Sequence, residues 1–196
     1  MFNFGVMASG NGSNFKALLS QIESKRLKAV CSFLIVNNKN CGAAQIAKSN
    51  GIPVYHISSV THPDSREYDQ AFLNVIKQHP IDFLVLAGYM KKITDSLLVS
   101  LKDRILNIHP SLLTKYGGHG FFGIHVHEAV LEANEGWSGA TVHLVNGDYD
   151  DGRILGQSMV PVFTDDTPEI LAARVLKAEH NLYWKTLRDY AASLGY

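Results

Sequence analysis

Short apolar runs alternate with longer amphipathic runs over the first 108 residues, and this alternation limits the possible folds more than any other feature. Residues 4–8 form a short apolar run typical of a buried strand. Residues 14–25 follow, with apolar side chains at the 3.6-residue spacing of a helix. Because the same pairing recurs along the chain, the sequence predicts an α/β fold with an open, twisted, mostly parallel sheet and helices on both faces.

The later part of the chain is less regular, but predicted helices and strands continue to follow one another. A glycine-rich loop at 114–125 precedes a helix, two strands separated by a polar turn, and a long final helix. Strands are predicted at 4–8, 29–36, 54–57, 83–87, 104–108, 140–145 and 154–162, and helices at 14–25, 41–49, 65–77, 96–101, 126–133 and 168–193. Since no internal repeat or linker interrupts the chain, we predict a single domain over residues 1–196.

Charge and composition argue against large polyanionic partners. The chain has 18 Lys and Arg residues and 18 Asp and Glu residues, so its formal net charge is zero. We therefore expect neither a nucleic acid nor a membrane as partner, but small-molecule substrates bound by a monomer or homodimer. With no secretory signal and two cysteines, Cys31 and Cys41, the sequence favours a reducing, cytoplasmic location.

The segment Ser9-Gly10-Asn11-Gly12-Ser13-Asn14 lies between the first predicted strand and the first predicted helix. Its glycines allow a tight turn, and the free N–H groups of the helix start attract anions, which indicates a phosphate site. The dinucleotide-binding fingerprint would need a glycine where Phe15 stands. The alternative is a plain turn in which Ser13 or Asn14 only caps the helix.

Asn107 and His109 lie two residues apart at the end of a predicted strand, so their side chains project from the same face. Ligands of open parallel sheets bind beyond the carboxyl ends of the strands. A carboxamide and an imidazole at that edge suit an acyl-type reaction, because both donate hydrogen bonds to a developing oxyanion. The alternative is a hydrogen-bonded pair that only closes the strand.

A carboxylate that reaches His109 would favour the catalytic interpretation. Asp148, Asp150 and Asp151, in the polar turn near the end of the chain, are candidates, and the spacing of residues does not choose among them.

Five motifs in order resemble the folate-dependent phosphoribosylglycinamide formyltransferase family of purine synthesis. They are the segment 9–14, Asp64-Ser65-Arg66, Leu86-Ala87-Gly88-Tyr89-Met90, Asn107-Ile108-His109-Pro110-Ser111-Leu112-Leu113, and Val142-His143-Leu144-Val145 continuing to Asp150. The resemblance runs through nearly the whole chain. The Asn-x-His-Pro element alone is less specific, because other formyl-transfer enzymes share it.

The resemblance implies a role for each matched position. Asn107, His109 and Asp150 correspond to the catalytic trio of the family, and Glu179 corresponds to an acidic residue that holds the glycinamide end. Gly12, Ser13 and Asn14 correspond to the loop that binds the substrate phosphate. The implied folate-binding residues are Arg66, Met90, Lys91, Lys92, Ile93, Asn146, Gly147, Asp148 and Tyr149.

The implied reaction is direct formyl transfer from 10-formyltetrahydrofolate, a co-substrate, to the amine of 5-phosphoribosylglycinamide in IMP biosynthesis. His109 in its protonated form and Asn107 would stabilise the oxyanion, while the charge of Asp150 would favour the imidazolium. No metal is expected. The alternatives are a formyltetrahydrofolate hydrolase-like enzyme, which would normally carry an N-terminal regulatory domain, and a non-catalytic folate- or phosphate-binding module.

Two segments depart from the family pattern. The loop at 117–123 is longer and richer in glycine than in the shortest family members. Lys91-Lys92 places a charge where an apolar residue is common, which favours either contact with a folate polyglutamate tail or a solvated surface. His125 and His127 suggest a metal pair only weakly, because residues i and i+2 of a helix do not share a face. His143 lies in a predicted strand and is interpreted as a packed core histidine.

Overall fold

The computed structural model describes residues 1–118, 120–148 and 150–196. Tyr149, one of the implied folate-binding residues, therefore lies outside the described residues, as does His119. The strands are β1 (Phe2–Ala8), β2 (Ala29–Val36), β3 (Val54–His56), β4 (Phe83–Leu86), β5 (Ile105–His109), β6 (Trp137–Leu144) and β7 (Ile154–Pro161). The helices are α1 (Ser13–Glu23), α2 (Gly42–Ser49), α3 (Ser65–Gln78), α4 (Asp95–Ser100), α5 (Ile124–Glu132) and α6 (Pro168–Ser193).

The strands form a seven-stranded sheet in the order β3-β2-β1-β4-β5-β6-β7. β1 pairs in parallel with both β2 and β4, and β2 pairs in parallel with β3, whereas β6 and β7 are antiparallel. The predicted α/β class with a mostly parallel sheet is therefore confirmed. Element bounds differ slightly from the predicted ones: β6 begins at Trp137 rather than at residue 140, and α5 begins at Ile124 rather than at 126.

The chain groups into two compact units, and the first consists of residues 1–106 and 191–196. Its central strand β1 is almost entirely buried, as its apolar sequence predicts. Gly5 is required there because the ring of Phe33 on β2 lies 2.3 Å from where a Cβ would stand. The pairing register of β1 with β2 shifts between Phe4 and Gly5 at this point.

The second unit comprises residues 107–190 and contains the antiparallel β6–β7 pair and helices α5 and α6. At the start of α6, Thr167 Oγ1 accepts a hydrogen bond from the N–H of Ile170 at 3.3 Å. Thr167 therefore caps the helix, and Pro168 stands in its first turn. The prediction of one domain over the whole chain stays a prediction, since the contacts group into two units.

Within the described parts of the chain, no helix combines the length and the apolar character that crossing a membrane requires.

Candidate active site

The end of β5 carries two of the predicted catalytic residues, both in the second unit. β5 runs from Ile105 to His109, so Asn107 and His109 lie on the strand itself, two residues apart. His109 is buried and Asn107 is half-buried. Both side chains contact Asp150: His109 Nδ1 lies 3.4 Å from Asp150 Oδ2, and Asn107 Nδ2 lies 3.5 Å from Asp150 Oδ1. The three residues form one cluster.

Both ring nitrogens of His109 face hydrogen-bond acceptors. Nδ1 faces the carboxylate of Asp150, and Nε2 lies 2.7 Å from the backbone carbonyl of Tyr116. Because a carbonyl oxygen can only accept, Nε2 carries a proton and donates to Tyr116. Ser111 Oγ donates to the same carbonyl at 3.2 Å. The two acceptors suit a doubly protonated, positively charged ring.

Burial nevertheless controls the titration of His109. Loss of solvation lowers the pKa of His109 below its usual value, although the charge of Asp150 and the carbonyl of Tyr116 both act to raise it. The expectation that Asp150 favours the imidazolium is therefore correct in direction, but this contribution is smaller than that of burial.

Asp150 is held by three neighbours in an unusual backbone conformation. Its φ of 55° lies in the left-handed region, which Asp adopts more readily than most residues. Burial acts to raise the pKa of Asp150, but contact with His143, the charge of His109 and the N–H of Gly118 outweigh it and hold the pKa below its usual value. The Gly118 N–H donates to Oδ2 at 3.0 Å. The carboxylate is therefore ionised at neutral pH.

His143, on β6, belongs to the same cluster, and reasoning from the sequence treated it as a packed core histidine. It is 2% exposed, and its Nε2 lies 3.1 Å from Asn107 Nδ2 and 3.4 Å from Asp150 Oδ1. The sequence offered one indication of a role for His143. It stands two residues before the end of the predicted strand 140–145, and the polar turn that carries Asp150 follows this strand. Strand alternation alone could not show which side chains it meets.

Gly152 allows the polar turn to pass close to β6. A Cβ at this position would lie 1.6 Å from the carbonyl oxygen of Leu144 and 3.4 Å from His143 Nδ1. The neighbouring backbone is tied down by the Leu144 N–H, which donates to the Arg153 carbonyl at 2.9 Å. No side chain fits here without displacement of the backbone beside His143.

We expect Gly152→Ala to lower the free energy of unfolding by about 3 kcal/mol, since the added methyl group overlaps backbone atoms that cannot move aside. Chemical denaturation of the two proteins measures the difference. Gly147→Ala is the matched control, because a Cβ at Gly147 would meet nothing within 4 Å. A loss for Gly152→Ala no larger than that of the control would contradict the prediction.

The predicted phosphate loop lies in the first unit. α1 begins at Ser13 after Gly12, which has a left-handed φ of 77° and lies so close to α2 that a Cβ would be 2.7 Å from Ala43 Cα. Neither Ser13 nor Asn14 is the N-cap residue, because Gly12 occupies that position. Gly12 therefore takes the cap position that the plain-turn alternative gave to Ser13 or Asn14, and phosphate binding by this loop stays a prediction.

Among the implied folate-binding residues of the first unit, exposure differs. Arg66, Met90, Lys91 and Lys92 are exposed, whereas the side chain of Ile93 is buried. The Met90 N–H donates to Ser9 Oγ at 2.9 Å, which ties this segment to the start of the phosphate loop. The folate-binding role of these residues stays a prediction.

A cavity of about 670 Å³ in the same unit has a positive rim. Its lining is polar or basic apart from Val60 and Tyr68, and none of the residues is acidic: Asn37, Asn38, Lys39, His56, Ser58, Ser59, Val60, Tyr68, Lys91 and Lys92. The three lysines make this cavity suitable for an anionic ligand.

In the second unit, the remaining site residues have contrasting surroundings. Glu179 lies on α6 and is buried. Asn146, Gly147 and Asp148 are exposed in the polar turn, where Asn146 Oδ1 accepts the Asp148 N–H at 3.1 Å. The structure therefore brings Asp150, and not Asp148, to His109.

Comparison with known proteins finds relatives over nearly the whole chain. A family described as "Formyl transferase" matches residues 2–187. Phosphoribosylglycinamide formyltransferase of Escherichia coli is 32% identical over 92% of this chain and 83% of its own length. The crystal structure of the enzyme of that name from Brucella melitensis is 36% identical, covers 97% of this chain and 96% of its own, and has a TM-score of 0.89.

The chain belongs to the phosphoribosylglycinamide formyltransferase family. A chloroplastic member from Arabidopsis thaliana is 45% identical over 91% of this chain. The chain spans only 57% to 61% of the length of the three plant members that it matches.

The residues just before the loop at 117–123 contact His109. The backbone carbonyl of Tyr116 binds His109, while Tyr116 Oη and Lys115 Nζ both donate to Glu135 Oε1, at 3.0 and 2.9 Å. Phe121 packs against the ring of Tyr116, with centroids 6.0 Å apart. In this member of the family, therefore, the Tyr116 carbonyl occupies the Nε2 donor of His109.

The two histidines of α5 have different surroundings. His125 is exposed and pairs with Glu128 at 2.9 Å, whereas His127 is buried. Among the described residues, no group of three or more His, Cys, Asp or Glu side chains is arranged to hold a metal ion.

Proposed function

We propose that this protein transfers the formyl group of 10-formyltetrahydrofolate to the amine of 5-phosphoribosylglycinamide, a step of purine biosynthesis. The observation that carries the proposal is the cluster of Asn107, His109 and Asp150 at the end of β5, in a chain of the phosphoribosylglycinamide formyltransferase family. A carboxamide, an imidazole and an ionised carboxylate provide two donors for an oxyanion and a charge that favours the protonated ring.

In the proposed reaction, the amine nitrogen attacks the formyl carbon, and a tetrahedral intermediate with a negatively charged oxygen forms. The bond between the carbon and folate N10 then breaks, and the proton lost by the amine ends on N10. His109 and Asn107 donate hydrogen bonds to the oxyanion. The Asp150 charge offsets part of the cost of protonating the buried His109 ring.

The loop has to release His109 before this can happen. Because Tyr116 occupies the Nε2 donor at 2.7 Å, we propose that substrate binding moves the Tyr116 carbonyl away and that the formyl oxygen takes its place. The exchange replaces one acceptor of the same proton by another, so the hydrogen bond is conserved.

We assign the remaining roles from the matched positions. Gly12, Ser13 and Asn14 bind the substrate phosphate, for which the exposed N–H groups at the start of α1 are suited. Glu179 holds the glycinamide end. Arg66, the segment Met90, Lys91, Lys92 and Ile93, and the turn Asn146, Gly147, Asp148 and Tyr149 bind folate, and no step of the reaction uses a metal.

Spectroscopic assay of folate release tests the proposal. The assay follows the release of tetrahydrofolate from 10-formyltetrahydrofolate by absorbance. We expect this release only when 5-phosphoribosylglycinamide is present. Release without that substrate would instead identify a formyltetrahydrofolate hydrolase-like enzyme. No release under either condition, with folate binding retained, would identify a binding module.

The lysine-lined cavity offers a place for the γ-linked glutamate tail of the co-substrate. We expect Lys39→Glu combined with Lys92→Glu to raise the KM for a polyglutamylated co-substrate about tenfold, because two attractive charges become repulsive near several carboxylates. The KM for the monoglutamate should change about twofold or less, since it has few carboxylates to repel.

Steady-state kinetics with the two co-substrates measures this difference. Lys48→Glu is the control, because Lys48 is exposed on α2 and does not line the cavity. Equal effects on both co-substrates would show that the cavity does not bind the tail.

We further propose that the protein acts as a monomer or homodimer in the cytoplasm, without nucleic acid or membrane partners. The two free cysteines, Cys31 and Cys41, fit a reducing compartment. Cell fractionation tests this location against the plastid named for the plant relatives.

A further inference from the structure

We propose that His143 is a positioning residue that fixes the orientation of the Asn107 carboxamide, and hence of one oxyanion donor. The inference rests on the proposed function for its catalytic consequence, but its structural part does not depend on that function. His143 lies on β6, is 2% exposed, and contacts Asn107 through Nε2 and the backbone carbonyl of Leu144 through Nδ1.

The backbone contact determines which ring nitrogen carries the proton. His143 Nδ1 lies 2.9 Å from the carbonyl oxygen of Leu144. Because the carbonyl can only accept, Nδ1 must donate, and in the neutral ring Nε2 is then left with a lone pair. The close approach of Gly152 to the Leu144 carbonyl holds this acceptor in place.

The lone pair in turn determines the orientation of Asn107. Nδ2 of Asn107 lies 3.1 Å from His143 Nε2, so one of its two N–H bonds donates to the ring. With the amide held this way, the second N–H points toward Asp150 Oδ1 at a long 3.5 Å. Because this N–H makes only a long, weak hydrogen bond, it can donate to a developing oxyanion with little loss of free energy.

A competing arrangement would place a proton on Nε2. Nε2 lies 3.4 Å from Asp150 Oδ1, so a charged His143 would donate to this carboxylate and would turn the carbonyl oxygen of Asn107 toward the ring. The side-chain oxygens of Asn107 and Asp150 would then face each other at the 3.5 Å that now separates Asn107 Nδ2 from Asp150 Oδ1. The neutral ring gives up a hydrogen bond to Asp150, which keeps the Gly118 N–H as donor, but it avoids the repulsion between the two oxygens and uses the shorter 3.1 Å contact with Asn107.

The hydrogen-bond acceptor at Nε2 is therefore the feature that matters, and two polar variants distinguish its effect from that of packing alone. Glutamine reaches the position of Nε2, whereas asparagine reaches only as far as Nδ1. We expect His143→Gln to keep kcat within about threefold of wild type and His143→Asn to lower it about 10- to 100-fold, as expected for a misplaced catalytic group. The KM values should change little, because the proposal gives His143 a role through Asn107 and none in substrate binding.

The matched control is His180→Asn on α6, a half-buried histidine outside the cluster, which should leave kcat unchanged. Thermal unfolding of all variants reports structural damage. Equal loss of kcat in His143→Gln and His143→Asn, or normal kcat in both, would overturn the proposal.

Nitrogen-15 NMR of the histidine rings tests the structural part without any assay of turnover. We expect the wild-type protein at neutral pH to show His143 protonated on Nδ1 alone. Asn107→Ala should shift the Nε2 resonance, because that nitrogen loses its donor. Protonation of Nε2, alone or together with Nδ1, would overturn the proposal even if both variants failed to fold. Absence of turnover in wild type with the expected ring state would overturn the proposed function instead.

Discussion

Replacing His109 or Asn107 by alanine is expected to lower kcat at least about 10²- to 10³-fold, because each change removes one donor to the oxyanion. His109→Ala should have the larger effect, since it also removes the positive charge that can stabilise the intermediate. Steady-state kinetics with both substrates measures kcat and KM separately. Since neither residue is assigned to ground-state binding, KM for either substrate should change much less than kcat.

The fold has to survive these changes for the result to be informative. His109 is only 4% exposed, so truncation to alanine also leaves a cavity. His109→Gln, which fills more of the space but cannot become charged, is the better-packed companion variant. Circular dichroism and thermal unfolding should show a native protein in each case. Near-normal kcat in a folded Asn107→Ala or His109→Ala protein would refute the assignment of the site.

The second large effect is expected at Asp150. Asp150→Asn should lower kcat about 10²-fold, because the carboxylate that faces His109 Nδ1 at 3.4 Å loses its charge. The charge of Asp150 raises the pKa of His109, so its removal lowers that pKa further. At any given pH, a smaller fraction of His109 is then protonated, and NMR titration of the ring should show the midpoint at lower pH than in wild type.

Asp148→Asn is the control for this result. Asp148 is exposed in the polar turn and does not reach the cluster, so its replacement should leave kcat within about twofold of wild type. A much stronger effect of Asp148→Asn than of Asp150→Asn would show that the wrong carboxylate has been assigned to His109.

Local patterns were sufficient to predict most of the secondary structure. β2 and α6 have the predicted bounds, and the others differ by a few residues, because the periodicity of apolar side chains reports which face of each element is buried. Strand ends were less accurate. The pairing of β6 with β7 extends back to Trp137, which is 56% exposed, and hydrogen bonding to a partner strand is not visible in the hydrophobic pattern.

The phosphate loop shows why glycine positions need the tertiary structure. The sequence placed Gly12 in a tight turn, which its φ of 77° confirms. It did not show that Ala43 of α2 lies within 2.7 Å of the missing Cβ. The requirement for glycine therefore comes as much from a neighbouring helix, distant in sequence, as from the local turn.

The sequence likewise predicted only part of the site, because some of its contacts join residues distant in sequence. Asn107 and His109 share one strand, so the period of two placed them on the same face from the sequence alone. Choosing Asp150 over Asp148 and Asp151 needed the family resemblance, and only the folded chain brings it within 3.4 Å of His109. His143 was interpreted as a core residue because the sequence does not distinguish a histidine that only packs in the core from one that hydrogen-bonds to site residues.

The sequence by itself determined the α/β class, the order of elements, the position of Asn107 and His109 at the end of β5 and the family. These depend on local spacing and on motifs that lie within short stretches of chain. The tertiary structure decided the partners of each polar group: the Tyr116 carbonyl on His109, the bridging position of Asp150, and the contact of His143 with Asn107. Such contacts join residues 7 to 43 positions apart, and long-range packing of the backbone rather than any local pattern sets their distances.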